Sequence, residues 1–214
     1  MAKYRKAYFF GTFNPIHNGH LMMAEYLLEH TDIGNIYFVV SPDAPFKDTN
    51  GELADMFARI RMISMAVWKP TTGGVFTKRM HACSIENGMP QPTYTANTLA
   101  AICKDKVHSL ASKPVLVLGA DNFIDLAHGK FYHSDEILKE YPIYVFPRDG
   151  YTDEAVFLAG NCNDEIEGCH VEVLVDAPTA NLSSTFIRNE IKQGHDVRFY
   201  VPDEIVGEVK QQYG

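Results

Sequence analysis

Two short clusters in this chain combine residue types and spacings suited to holding phosphate. The first is His17-Asn18-Gly19-His20. Two imidazoles three residues apart share one side of a helical turn. The second is Asn181-Leu182-Ser183-Ser184-Thr185-Phe186-Ile187-Arg188, three hydroxyls with a guanidinium one turn further on. Imidazole, hydroxyl and guanidinium groups all donate hydrogen bonds to anionic oxygens. Each cluster stands where a helix should begin. The first turn of a helix has unpaired backbone N–H groups and a partial positive charge, so it attracts phosphate. A plainer explanation exists for each cluster taken alone, namely a well-capped helix. Together they suit one polyphosphate held between two helix mouths.

The elements that must position these groups follow from the hydrophobic pattern. The apolar run 7–10 reads as a buried strand ended by Gly11, and Asn14-Pro15 marks a turn. From Asn18 the period becomes helical, with Leu21, Ala24 and Leu28 on one face. Gly11 and Gly19 leave room for a ligand to approach the backbone. The loop is not a Walker A cradle, which needs Gly-Lys-Ser/Thr, and it lacks the G-x-G-x-x-G dinucleotide fingerprint. Further strands are expected at 36–40, within 75–85, and at 115–118, 143–146 and 171–175. A helix over 53–68 should bury Phe57, Ile60, Ile63 and Val67. Thr95 is placed to cap a helix that buries Leu99 and Ile102. Ser134 is placed to cap another at 135–140, and Ser183 to Thr185 cap one that Gly194 stops. Continuous apolar strands alternating with helices predict a doubly wound parallel α/β sheet in a single Rossmann-like domain over 1–214. The acidic stretch 151–170 reads as a surface insertion of helix and loop, and 195–214 as a helical tail.

Composition narrows the function. The chain has 214 residues, 46% of them hydrophobic, which suits one packed domain. A net charge of −8 argues against a nucleic-acid partner, because phosphate backbones need a basic face. No long apolar segment suggests a signal peptide or a membrane span, so a cytoplasmic setting is expected. Cys83, Cys103, Cys162 and Cys169 are scattered and expected to be reduced. His81 and Cys83 lack a partner pair at zinc spacing, and no protein-caged metal is expected. The oligomeric state is left open, and a homo-oligomer is compatible with the sequence.

Residues 11–20, Gly-Thr-Phe-Asn-Pro-Ile-His-Asn-Gly-His, resemble the signature of the nucleotidylyltransferase superfamily. The Thr-Phe-Asn-Pro form resembles the nicotinate/nicotinamide mononucleotide adenylyltransferases; the pantetheine-phosphate branch usually reads Ser-Phe-Asp-Pro. The second cluster is similar to the family's Ile-Ser-Ser-Thr-x-Ile-Arg, with Leu182 replacing Ile. The resemblance implies that His17, His20 and Arg188 are catalytic. It implies that Gly11, Thr12 and Phe13 of the loop, and Ser183, Ser184 and Thr185, hold ATP phosphates. Lys47 matches the basic residue of a Pro-Pro-His-Lys element, with Phe46 in place of the histidine, and would join them. Gly119-Ala120-Asp121 resembles the family's Gly-x-Asp element. Asp121 there would accept a ribose hydroxyl or approach the metal, and cap its helix too. For the acceptor mononucleotide the resemblance implies Asn14, Tyr94 and Thr95 (with Asn97 where Asp is usual), Phe131 as the stacking aromatic, and Arg148.

The activity thus implied joins a pyridine mononucleotide to the AMP part of ATP, with Mg²⁺ bound with the ATP. Nicotinate is the first choice of acceptor base and nicotinamide the second. The rivals are another transferase of the superfamily, such as one acting on phosphopantetheine or with CTP, and a non-catalytic nucleotide-binding module.

Overall fold

A computed structural model describes residues 5–42, 52–68, 79–105 and 113–214. Six strands form one sheet: β1 (Arg5–Gly11), β2 (Ile33–Val40), β3 (Met80–Cys83), β4 (Val115–Gly119), β5 (Ile143–Phe146) and β6 (Val171–Val173). Their order is β3-β2-β1-β4-β5-β6, and every pairing is parallel. The chain winds outward from β1 through β2 to β3, then returns to the other side of β1 and winds outward again from β4. The winding direction therefore reverses between β1 and β4. In such sheets the connections diverge beyond the carboxyl ends of those two strands, and ligands bind in the crevice left there.

The helices are α1 (Asn18–His30), α2 (Met56–Val67), α3 (Thr95–Lys104), α4 (Ala120–Ala127), α5 (Ser134–Glu140), α6 (Thr152–Glu165), α7 (Ser184–Lys192) and α8 (Val206–Tyr213). They cover both faces because the central strands are apolar on both sides. In β4, Val115 and Val117 enter one core with Leu27 of α1, Ile63 of α2, Ile187 of α7 and Val209 of α8. Leu116 and Leu118 enter the opposite core with Phe123 of α4, Ile137 of α5 and Ala159 of α6. This is the period-2 alternation of a strand buried on both faces. Among the described residues no helix is long and apolar enough to cross a membrane.

The structure moves several sequence-based expectations. Over 53–68 the helix begins at Met56, capped by Asp55, whose carboxylate accepts from the Phe57 and Ala58 amides. Phe57 is 63% exposed, and the buried face is Met56, Arg59, Met62, Ile63 and Ala66. The pattern misleads because a buried arginine takes a place expected for an apolar residue. Thr95 is the first helical residue and Tyr94 the cap; Ser134 likewise follows its cap, His133. Asp121 is not a cap either, since Gly119 precedes the first residue of α4. Residues 151–170 are no surface insertion. They hold the crossover helix between β5 and β6, with Ala155, Ala159 and Cys162 in the core. Small residues carry that buried face, which leaves the apolar stripe faint in the sequence. The last strand closes at Val173 rather than 175. The tail packs as α8, with Val209 and Tyr213 buried.

Candidate active site

The carboxyl end of β1 leads into residues 12–17, a loop fixed on every side. Phe13 has a positive φ of 46°, a strained conformation for a residue with a side chain. Its ring is buried and packs edge-on against Phe9 and Phe38. Gly11 makes this possible, because a Cβ there would stand 3.1 Å from the Phe13 ring. Phe13 therefore shapes the loop as part of the core, and its side chain is not a phosphate ligand. Asn14 is 2% exposed and bonded through both its amide oxygen and its amide nitrogen. Its Nδ2 donates to the Glu52 carbonyl, and its Oδ1 accepts from the Ala54 amide and the Tyr213 hydroxyl. Asn14 thus holds the loop, and its buried side chain is turned to these partners within the protein. Arg59, 1% exposed, donates to the carbonyls of Thr12, Ser41, Pro42 and Ala54. It ties the ends of β1 and β2 to α2, with its guanidinium turned to backbone carbonyls.

His17 caps α1 from an extended conformation and is 5% exposed. Burial pushes its imidazole down to about 4, so the ring is neutral at pH 7. Its Nδ1 is buried without a hydrogen-bond partner. The His20 ring stacks on it at 3.7 Å between centroids. His20 Nδ1 accepts the His17 backbone N–H at 3.3 Å. An accepting Nδ1 carries no proton, so the neutral ring bears it on Nε2, as a donor. Gly19 fits closely here: a Cβ would sit 3.1 Å from His17 Cε1 and Nδ1.

The second cluster folds onto this loop. Ser183 caps α7, its Oγ accepting the Phe186 amide at 3.1 Å. Ser184 Oγ donates to the Pro15 carbonyl at 2.8 Å, a contact between residues 169 positions apart. Arg188 Nη1 donates to the Asn14 carbonyl at 2.8 Å, Nη2 reaches Thr185 Oγ1 and Nε meets Glu52 Oε2. The guanidinium is 6% exposed and occupied by these partners, so Arg188 braces the two clusters instead of pointing into open space. The Asn18 amide and side chain hydrogen-bond the Tyr200 and Phe199 carbonyls, which anchors the start of α1 to the tail.

Beside this, β4 ends at Gly119. A Cβ there would come within 2.8 Å of Asp121 Oδ1, so the carboxylate folds back over the strand end. Asp121 Oδ2 pairs with Arg148, while its buried Oδ1 has no partner. The Tyr94 ring lies 4.7 Å from Tyr132, joining the start of α3 to the 128–133 loop. Phe131 is half-buried against the second core, and its amide and carbonyl both bond Ser134 Oγ. Tyr132, 49% exposed, is the more available ring, and the residue types alone did not single it out. Glu86 was also missed. It is buried at 2%, burial pushes its carboxyl up, and it accepts from the Thr93 and Thr98 hydroxyls on either side of Tyr94-Thr95. Lys47 and Phe46 lie outside the described residues.

Residues 8–190 match the cytidylyltransferase-like family. A protein of Azobacteroides pseudotrichonymphae named "probable nicotinate-nucleotide adenylyltransferase" is 34% identical over 199 residues, 93% of each chain. One of the same name from Cytophaga hutchinsonii is 35% identical over 198 residues, covering 92% of this chain and 91% of its own. The chain belongs to the nicotinate-nucleotide adenylyltransferase branch of the cytidylyltransferase-like family. It is accordingly an enzyme, a nucleotidyltransferase. In fold it matches the Plasmodium falciparum nicotinic acid mononucleotide adenylyltransferase complexed with NaAD, with a TM-score of 0.70 over 99% of this chain and 98% of that one at 13% identity. In this chain Ser184 and Arg188 bind the loop that ends in His17.

Proposed function

We propose that the chain makes nicotinate adenine dinucleotide from nicotinate mononucleotide and ATP, releasing pyrophosphate. The observation that carries this reading is the convergence of two helix N-termini, α1 and α7, on one loop at the switch point of the sheet. Two positive helix ends side by side suit a triphosphate. The mononucleotide's 5′-phosphate oxygen attacks the α-phosphorus of ATP in line. The new P–O bond forms as the bond to the β-phosphate oxygen breaks, and pyrophosphate leaves with that electron pair. The attacking phosphate is already an anion, so no general base is required. The protein's part is to bring two anions together and to stabilise the charge that develops.

His20 Nε2–H and His17 meet the α- and β-phosphate oxygens, with the backbone of Gly11 and Thr12 beside them. Ser183, Ser184 and Thr185 at the mouth of α7 receive the departing β- and γ-phosphates, with Lys47 a further cation for them. Arg188 adds positive charge behind that mouth while holding Asn14. Asp121 accepts a ribose hydroxyl. Tyr94 and Thr95 bind the pyridine substituent through their backbone, and Phe131, with Tyr132 beside it, offers the ring a face. Arg148 lies between the nucleotides, released from Asp121 when they bind. Mg²⁺ fits the site, because Asp121 Oδ1 is a buried carboxylate oxygen without a partner, the donor type hard cations take. Among the described residues no group of three acidic, histidine or cysteine side chains could cage a metal. Bound with ATP, Mg²⁺ supplies neutralisation of triphosphate charge.

The test is to incubate the protein with ATP and either pyridine mononucleotide, and to follow pyrophosphate and dinucleotide. Nicotinate mononucleotide should give the larger kcat/KM. His20→Ala should fold normally and lose about 10²-fold in kcat, as when one preorganised donor is removed. ATP binding with no pyrophosphate release on adding either mononucleotide would leave only a binding module. Turnover with phosphopantetheine instead would move the chain to another branch.

A further inference from the structure

We propose that Tyr213, on the last turn of α8, is a positioning residue for the reaction, setting the loop that carries His17 and His20 through Asn14. Its hydroxyl donates to Asn14 Oδ1 at 2.6 Å across 199 positions of sequence. The Asn14 amide is the centre of a set of three bonds. Oδ1 receives Tyr213 and the Ala54 amide at 3.0 Å, and Nδ2 gives to the Glu52 carbonyl at 3.0 Å. Flipping the amide would set its NH₂ against the Ala54 N–H, so the orientation is fixed and Tyr213 must be the donor.

Burial keeps it one. Tyr213 is 8% exposed, which drives its phenol far above the ordinary range, and the hydroxyl stays protonated. A protonated phenol with one acceptor beside it is a dedicated donor. On the other side of Asn14, its carbonyl receives Arg188 and the next carbonyl receives Ser184. On the N-terminal side, Phe13 sits at φ 46°. A strained residue followed by an amide fixed by three hydrogen bonds persists only if its surroundings over-determine it. Tyr213 supplies a tie to this loop from an element that is remote from both phosphate clusters in sequence. If the hydroxyl is removed, the amide keeps two of its three bonds and gains freedom to turn. Pro15, Ile16 and the cap His17 follow directly along the chain. The effect should therefore fall on turnover, through the placement of the imidazoles.

The inference rests on the adenylyl-transfer reading for its kinetic arm, and a spectroscopic arm stands apart from it. Tyr213→Phe keeps the ring and its packing. It should lower kcat about tenfold, the weight of one buried hydrogen bond, with KM for ATP changed less than twofold. The imidazole ¹⁵N resonances of His17 and His20 should shift, although the substituted atom lies on α8. Val209→Ala is the control. Val209 is fully buried in the same helix, so its loss should lower the melting temperature and leave kcat and the imidazole resonances in place. The proposal is overturned if Tyr213→Phe leaves kcat within twofold and the resonances unmoved. It is equally overturned if Val209→Ala reproduces both effects, since helix stability would then account for them. Should the unaltered protein turn over neither mononucleotide, the activity assignment fails while the imidazole shifts still decide the role of Tyr213.

Discussion

Replacing Gly19 by alanine should separate stability from catalysis. Gly19 lies in the first turn of α1, where alanine ordinarily gains about 0.5–1 kcal/mol over glycine. The added Cβ would stand 3.1 Å from two atoms of the His17 ring and 3.6 Å from the Ala180 Cβ. The second contact is comfortable; the first requires the ring to give by a few tenths of an ångström. His17 has little room to do so. Its ring is 5% exposed and stacks 3.7 Å from His20, whose Nδ1 holds the His17 amide. Displacing one imidazole therefore displaces the other, or opens the start of the helix. A misplacement of about 1 Å near reacting atoms costs around 10²-fold, so a few tenths should cost about tenfold in kcat. The helix gain and the ring strain oppose each other, leaving the unfolding free energy within about 1 kcal/mol of the parent. Chemical denaturation measures the second quantity and steady-state pyrophosphate release the first. A Gly19→Ala protein of ordinary stability and undiminished kcat would refute the claim that the two rings are held by that helix turn.

Two further outcomes follow from buried groups. The His17 imidazole is pushed down to about 4 in the folded protein, against 6.5 when unfolded. Protonation is then favoured in the unfolded chain, so stability is fully present above about pH 6.5 and is lost as pH falls toward 4, by up to about 3 kcal/mol. His17→Asn, a good helix cap without that titration, should flatten the slope in denaturation curves taken between pH 4.5 and 7. Glu86→Gln should raise KM for the mononucleotide about tenfold and leave KM for ATP alone. The carboxylate accepts from Thr93 and Thr98 around Tyr94-Thr95, and an amide can satisfy both hydroxyls less well. Equal effects on both substrates would remove Glu86 from the acceptor side.

The sequence was most legible where backbone rules act alone. Strand β5 stands at the expected 143–146, and Ser183 caps α7 through its hydroxyl. The meeting of the two clusters followed from pattern as well, because a parallel sheet gathers its strand ends on one edge. What stayed hidden depends on tertiary partners. Arg188 looks like a phosphate ligand, yet it is buried and donates to a carbonyl and a carboxylate across the fold, while Arg59, buried on α2, ends on backbone carbonyls. Asn14 looks like a binding residue and proves to be a brace. Its partners at 52, 54 and 213 have no fixed spacing from it, so no local signal announces them. The buried, crossover role of helix α6 escaped because alanine and cysteine form its buried stripe.

The account depends on the starts of α1 and α7 forming one anion site. Titrating inorganic pyrophosphate into ¹⁵N-labelled protein tests this directly, by following the amides of Gly19, His20, Ser184 and Thr185. A single site requires all four resonances to move along one isotherm with one Kd, and His20→Ala to weaken binding seen at Ser184 as much as at Gly19. Movement at only one helix, or two independent dissociation constants, would contradict it.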